Sequence, residues 1–387
     1  MLAAIIGGRL QGVELACLAR HAGWRTLLVD RKTNVPAQRL CDRFLQLDVT
    51  RRSDLDDALN AVDLVIPALE DHAALDGLMG WGRDHPIPVA FDPVAYAVSS
   101  SKIESDRLFA SLGIPAPEPW PRCGFPVVAK PSSASGSKRV IILNGQSEAE
   151  AVFPQGLPKQ GWVFQQYLQG PSFSLELIGR PGNYLPLQVT QLFMDAVYDC
   201  KAVAAPCRLT VGQIREIETL SIEIAEAIRL TGLMDVEVVF HDGCFKVLEI
   251  DARFPSQTPL CVHASTGCNM FELLADLFLS VRQSDWRPPA SIRGAILEHI
   301  RVTPRSIFVE GERIMAEAGP LERVPGFFGA DEAITSYRAG APAWVATLII
   351  TAGRRPRAME KRNRVLSEIQ RCFNLDTIVD RGPEDTA

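Results

Sequence analysis

The stretch 232–251 restricts the fold more than any other part of the chain. Gly232-Leu233-Met234-Asp235-Val236-Glu237-Val238-Val239-Phe240 and Phe245-Lys246-Val247-Leu248-Glu249-Ile250-Asp251 are apolar-rich runs separated by His241-Asp242-Gly243-Cys244. Side chains alternate faces along a strand, so Asp235 and Glu237 share one face of the first run, and Glu249 and Asp251 share one face of the second. A turn containing Asp-Gly makes the two runs antiparallel neighbours in a hairpin. Arg253 continues the phase of Glu249 and Asp251, which would crowd three ionised groups on one strand face; a packed core excludes that unless a cation or polyanion sits among them. Carboxylates from adjacent strands suit magnesium, which takes oxygen ligands and shares them with substrate phosphates. A solvated sheet face laced with salt bridges is the other reading of the same pattern.

A chain of 387 residues is too long for one simple core and fits about two to four packed units. Hydrophobic content of 47% with 22% charged residues is that of an ordinary globular protein. With 40 basic against 46 acidic residues the net charge is -6, a balance that does not point to a nucleic-acid surface. Residues 1–8 read as a short strand without a basic leader or cleavage site, and no apolar run approaches the ~18 residues of a membrane span, so a cytoplasmic protein with no membrane partner is expected. The nine cysteines contain no CxxC pair and have no histidine cluster nearby, which argues for reduced, mostly buried thiols rather than disulfides or a zinc site.

The amino-terminal third reads as a doubly wound unit. An apolar strand at 2–6 is followed by Gly7-Gly8-Arg9-Leu10-Gln11-Gly12, a helical pattern through Val13, Leu15, Ala16, Leu18 and Ala19, and a second strand ending at Asp30. The glycines at 7, 8 and 12 miss the GxGxxG spacing, which weakens a dinucleotide reading and leaves a backbone-lined binding turn at a helix start. Further strands end at Asp48 and near Glu70. Ligands of open parallel sheets gather beyond the carboxyl ends of the strands, where Arg9, Leu10, Gln11, Asp30, Asp48 and Glu70 fall; Asp30 and Asp48 suit helix capping equally well.

Beyond Phe91-Asp92-Pro93, a helix opens at Ser99-Ser100-Ser101-Lys102 and stops at Gly113, ahead of prolines at 115, 117, 119 and 121. The strand Pro126-Val127-Val128-Ala129-Lys130-Pro131 leads into Ser132-Ser133-Ala134-Ser135-Gly136-Ser137-Lys138, a small-residue loop flanked by lysines that suits closure of backbone N–H groups over phosphates, or a plain flexible hairpin. Helices are expected at 147–152, 211–230 and 266–281, the last from Met270, Leu273, Leu274, Leu277 and Phe278 at helical spacing. Strands are expected at 162–168, 172–178, 188–192, 295–302 and 344–350, with Asp195, Tyr198, Asp199 and Cys200 in a loop, a basic helix at 355–373 and a frayed tail.

Lys102 at a helix start, the element Gly113-Ile114-Pro115-Ala116-Pro117, Lys130-Pro131 with its small-residue loop, the hinge at 165–170, and Glu237 paired with Glu249 and Asp251 together resemble the ATP-grasp superfamily. The ordered set covers nearly the whole chain. The resemblance implies an α/β protein, an ATP-grasp fold preceded by an open parallel α/β (pre-ATP-grasp) domain: 1–95 the doubly wound domain, 96–170 a central lid, 171–387 a catalytic subdomain with an extension. It also implies ATP and Mg2+ as cofactors, with an acyl phosphate formed from a carboxylate and displaced by an amine. By resemblance Lys102, Lys130 and Ser137 contact phosphates, Gln165, Gln166, Tyr167 and Leu168 line the adenine, Glu237, Glu249 and Asp251 hold magnesium, and Arg253 steadies the acyl phosphate and tetrahedral intermediate. Arg9, Leu10, Gln11, Asp30, Asp48 and Val49 are further candidates for nucleotide contact, and whether the glycine turn serves nucleotide, amine substrate or both stays open.

Gly7-Gly8-Arg9-Leu10-Gln11-Gly12, Tyr198-Asp199-Cys200, Met234-Asp235-Val236-Glu237 and above all Glu249-Ile250-Asp251-Ala252-Arg253-Phe254-Pro255-Ser256-Gln257-Thr258-Pro259 are similar to the ATP-grasp ligases of pyrrolysine biosynthesis. That narrower likeness implies joining the carboxylate of (3R)-3-methyl-D-ornithine to the side-chain amine of L-lysine, small-molecule partners only, with a homodimer compatible. Ser174, Glu176, Asp235, Ser256 and Thr258 would bind the ornithine, and Leu10 with Glu70 the lysine; Glu176 and Asp235 equally suit a structural ion pair. Ser172 and the Gln165-Gln166 hinge depart from the acidic pattern common in the superfamily, and Arg9 stands where a lysine is expected. Another carboxylate–amine ligase of dipeptide type, a non-catalytic nucleotide sensor and a dehydrogenase built on the first sheet are the competing readings.

Overall fold

The apolar runs at the start of the chain become parallel strands β1 (Leu2–Ile6), β2 (Arg25–Asp30), β3 (Arg43–Gln46) and β4 (Leu64–Pro67), with helices α1 (Leu10–His21), α2 (Leu55–Leu59) and α3 (His72–Asp84) between and after them. The computed structural model describes residues 1–133, 136, 139–158, 160–279, 289 and 292–383. The four strands lie in the order β3-β2-β1-β4. β1 is covered on both faces, as its unbroken apolar run requires, and Leu2, Ala4, Ile6, Val29, Val65, Leu78 and Trp81 close one core on the sheet.

The chain then runs through α4 (Pro93–Ser99), α5 (Lys102–Leu112), β5 (Val127–Pro131), β6 (Ile141–Leu143), α6 (Gln146–Val152), β7 (Trp162–Gln166), β8 (Ser172–Arg180) and β9 (Asn183–Pro186). Strands β10 (Thr190–Met194) and β11 (Cys200–Ala205) precede α7 (Val211–Ala227), β12 (Gly232–His241) and β13 (Cys244–Asp251). After these come α8 (Thr258–Thr266), α9 (Met270–Leu279), β14 (Gly294–Val302), β15 (Ser306–Val309), α10 (Arg313–Ala316), β16 (Glu322–Pro325), β17 (Glu332–Thr335), β18 (Trp344–Ala352), α11 (Arg355–Phe373) and β19 (Thr377–Asp380).

These elements fall into two units, one formed by Met1–Pro93, Leu187–Arg208 and Arg253–Ala387, the other by Val94–Pro186 and Leu209–Ala252. In the first unit, antiparallel neighbours follow the order β10-β11-β14-β18-β17-β16, and β15 joins β14 to the parallel edge strand β19. α11 packs Ala358, Val365, Leu366 and Ile369 on this sheet. In the second unit a small sheet β6-β5-β7 lies apart from an antiparallel ladder β9-β8-β12-β13. The small sheet has its own core of Val127, Ala129, Leu143 and Ala149 beneath Trp162 and Phe164.

Local chemistry explains the element ends. Ser101 caps α5 by accepting the Glu104 N–H, and Gly113 ends the helix in the left-handed conformation at φ 70°. Thr210 and Gln213 form a reciprocal capping box at the start of α7. The apolar stripe expected as one helix over 266–281 is instead two: α8 ends at the left-handed Gly267, and the Asn269 side chain accepts the Phe271 N–H to start α9. Val281 lies outside the described residues. The run expected to carry Arg253 on a strand face stops two residues earlier, at Asp251. Among the described residues no helix is long and apolar enough to cross a membrane, and all nine cysteines are free thiols.

Candidate active site

In the second unit the strand register sets the acids in two rows. Asp235 faces Glu176 on β8 and Asp251 on β13, while Glu237 faces Ser174 and Glu249. Residues directly opposite in an antiparallel pair present side chains to the same face, so three strands contribute five carboxylates to one patch. A register shift after Glu237 absorbs Leu248 and lets the rows coincide. Ser174 and Glu176 are completely buried and Asp235 nearly so. The Ser174 hydroxyl lies 2.9 Å from Glu176 and 2.5 Å from Asp235, bridging the two acids.

Such crowding changes proton affinities. Burial first, then the negative charges of Asp235, Glu249 and Asp251, push the Glu237 carboxyl well above the usual carboxylate range, with Lys130 opposing. Lys130, on β5, is itself buried, and burial together with Lys102 holds its ammonium below the usual lysine value, while Glu249 acts against this. Lys102, at the start of α5, donates to Glu249 at 2.6 Å. The helix start is fixed against β5, because the Lys102 N–H donates to the Ser132 carbonyl at 3.0 Å and the Ile103 N–H to its hydroxyl at 3.2 Å. Asp106, one turn along α5, is pushed up to about 6 by burial, with Lys130 and Lys102 opposing. Sequence reasoning missed it, although its i+4 spacing from Lys102 was a usable signal.

The hinge residues lie at the end of β7. Gln165 is buried and Tyr167 and Leu168 are half-buried. Gln166 accepts from Lys246 at 2.6 Å and contacts the His241 ring at 3.3 Å, so β12 and β13 steady the hinge through two residues the sequence reading passed over. Gly170, at φ 149°, brings the backbone so close to β12 that a Cβ would lie 2.1 Å from the Phe240 carbonyl. Ser137 lies outside the described residues.

In the first unit the order β3-β2-β1-β4 reverses direction between β1 and β4, the position at which open parallel sheets bind ligands beyond their carboxyl ends. The first turn of α1 and the loop after β4 meet there, since Gln11 donates to Glu70 at 3.1 Å. Arg253 pairs with the same Glu70 oxygen at 2.7 Å and is 12% exposed. Gly7, at φ 111°, sits where a Cβ would meet the Ala68 carbonyl at 2.4 Å, so the glycine turn requires its glycine. Leu10 opens α1 directly behind Arg9. Asp30 accepts the Gly8 N–H and the Lys32 N–H, both at 2.8 Å, which holds the turn in shape. Asp48 accepts from Thr50, bonds that hold its carboxyl below the usual range. Val49 is packed in the core, so only its backbone can meet a ligand. Ser256 accepts the Thr258 N–H through its carbonyl at 2.8 Å, and Thr258 begins α8 with its hydroxyl buried.

The acid rows fit a divalent cation chemically: oxygen donors in excess, mutual repulsion, and a carboxyl forced toward its neutral form for want of countercharge. Among the described residues no three His, Cys, Asp or Glu side chains are gathered in a metal-holding arrangement.

Residues 99–257 match the ATP-grasp domain. The chain is 30% identical over 371 residues to the 3-methyl-D-ornithine–L-lysine ligase of Methanosarcina mazei, covering 95% of each chain. It is 31% identical to the ligase of the same name from Methanosarcina barkeri, over 83% of this chain and 86% of that one. Among solved structures, the L-amino acid ligase of Bacillus licheniformis superposes with a TM-score of 0.69 over 95% of this chain and 97% of that chain, at 17% identity.

Proposed function

The chain belongs to the ATP-grasp ligases, and on that premise we propose that it uses ATP to join the carboxylate of 3-methyl-D-ornithine to the side-chain amine of L-lysine. It is a carboxylate–amine ligase, an enzyme class in which an acyl phosphate forms and an amine then displaces phosphate. The observation that carries the residue assignment is the pair of carboxylate rows on β8, β12 and β13, with Lys102 and Lys130 beside them.

Phosphoryl transfer to a carboxylate brings anions together, so positioned positive charge is the main catalytic requirement. Lys102 and Lys130 supply it to the ATP phosphates, and Gln165, Gln166, Tyr167 and Leu168 line the adenine. Magnesium, when bound by Glu237, Glu249 and Asp251, would neutralise phosphate charge. Binding the nucleotide re-partners Lys102, which in the free protein is held by Glu249. Arg253 presents a guanidinium to the acyl phosphate and the tetrahedral intermediate, and Glu70 fixes its orientation.

Two diamino acids bring several ammonium groups, and the acids outside the metal set answer that charge. Glu176, Asp235 and Ser174 receive the ornithine ammonium groups, with Ser256 and Thr258 contributing hydroxyls. Glu70 and the turn at Leu10 hold the lysine. ADP release should require both amino acids and ATP, and the product should have the summed mass of the two less one water. ADP release with alanine pairs but not with methylornithine and lysine would move the assignment to a dipeptide-type ligase. Hydride transfer or nucleotide binding without turnover would remove it from ligation.

A further inference from the structure

Arg253 has a second acidic neighbour that the resemblance did not bring to notice. Glu312 lies just before α10, and Arg253 is close enough for its charge to lower the proton affinity of the Glu312 carboxyl. Gln257 and Ser256 donate to that carboxyl, yet Glu312 Oε2 is buried with no hydrogen-bond partner among the described residues. Gln257 Oε1, on the residue that bonds this carboxyl and is 7% exposed, is in the same condition, as is the hydroxyl of the next residue in the chain, Thr258, which is 4% exposed. Gln257 adopts φ 69°, a left-handed conformation in which a non-glycine residue is strained, and here it aims the amide at Glu312. Buried acceptors without donors are costly, and their concentration marks a place built for a donor-rich ligand.

The loop that places Glu312 is held by residues the site has not otherwise used. Asp195 accepts the Gly311 N–H at 3.1 Å and Asp199 the Arg313 N–H at 3.2 Å. A Cβ on Gly311 would lie 2.1 Å from the Asp199 side chain, so the two segments are in closest contact. Tyr198, between the two aspartates, takes a positive φ of 63°.

We propose that Glu312, with Gln257 Oε1, forms an ammonium-binding subsite beside Arg253 that receives the attacking primary amine of the amino acid nucleophile, L-lysine, and that Asp195 and Asp199 position it. The inference rests on the ligase reading above. An ammonium group is all donor, and the orphaned atoms include two strong acceptors. To attack, the ammonium must first lose a proton, which the Glu312 carboxylate can accept. The freed lone pair then forms the C–N bond at the carbonyl carbon of the acyl phosphate as the C–O bond to phosphate breaks and inorganic phosphate leaves, so the recognition group belongs next to Arg253, which steadies that acyl phosphate. Burial, then Asp199, push the Glu312 carboxyl up to about 7; an arriving cation favours its charged form.

The test uses Glu312→Gln and Asp199→Asn in the full-length enzyme, with two nucleophiles: L-lysine, and hydroxylamine, which is uncharged at neutral pH and traps an acyl phosphate without an ammonium subsite. Glu312→Gln should raise KM for lysine roughly 10- to 100-fold, the loss expected for one charge-assisted hydrogen bond, while KM for methylornithine and hydroxamate formation stay near wild type. Asp199→Asn should shift the lysine KM in the same direction by less. A lysine KM within twofold of wild type in Glu312→Gln, or a parallel fall of hydroxamate formation and lysine turnover, would overturn the assignment. Absence of hydroxamate and of ADP release in the wild-type enzyme with methylornithine would instead refute the ligase reading.

Discussion

Glu237→Gln should raise the stability of the ligand-free protein while abolishing its activity, and the size of the gain follows from the strand register. Glu237 faces Glu249 directly and shares its patch with Asp235 and Asp251. Facing residues on antiparallel strands have Cβ atoms ~5 Å apart, and two carboxylates ~6 Å apart at an effective dielectric constant of ~20 repel by ~3 kcal/mol. Lys130 and Lys102 offset part of this, leaving about 1–2 kcal/mol that a neutral isostere removes. Glu237 has a raised folded-state pKa, so the folded state binds its proton more tightly than the unfolded chain does. The penalty is therefore absent below the unfolded value of ~4.3, grows as pH rises above it, and is complete above the raised folded value. Thermal unfolding at pH 8 without magnesium should give a midpoint ~1–3 °C higher for the variant, with no difference near pH 4. Magnesium with ADP, in ~100-fold excess over its dissociation constant, should stabilise the wild type by ~2.7 kcal/mol and the variant by much less. A variant less stable than wild type at pH 8, or one stabilised equally by magnesium and ADP, would refute the reasoning.

Lys102→Met removes the donor held at 2.6 Å by Glu249; kcat/KM for ATP should fall ~100-fold, the worth of about 2–3 kcal/mol of charge-assisted bonding, and an unchanged value would remove Lys102 from the phosphates. Ser174→Ala deletes the hydroxyl bridging two buried acids and should cost about 1–3 kcal/mol of stability in chemical denaturation, together with a raised KM for methylornithine but not for ATP. Gly7→Ala forces a Cβ into the Ala68 carbonyl at positive φ, and a loss of more than ~2 kcal/mol is expected; normal stability would mean that the turn tolerates another conformation.

What local pattern encodes was readable before the structure. The acid hairpin follows from alternation and an Asp-Gly turn, and the helix from Lys102 to Leu112 follows from Ser101 and Gly113 at its ends. The doubly wound sheet follows from strand ends at Asp30 and Glu70, while its order β3-β2-β1-β4, which brings Gln11 to Glu70, is a product of topology. Strands β15, β16, β17 and β19 are four residues each, too short for alternation to be distinguished from chance. Arg253 was read as a strand residue because periodicity continued past Asp251, where the backbone does not. Val49 gave no sign that its side chain belongs to the core. Glu312 lies 59 residues from Arg253 in a stretch of ordinary composition, and only the packing of the loop at 195–199 against Gly311 reveals where it points.

The route through an acyl phosphate is tested most directly with methylornithine labelled with oxygen-18 in both carboxylate positions. Turnover with ATP and lysine should place one labelled oxygen in inorganic phosphate and leave one in the amide of the product, with ADP formed in equal amount. Label appearing in AMP, or phosphate carrying none, would contradict transfer of the terminal phosphoryl group to the carboxylate.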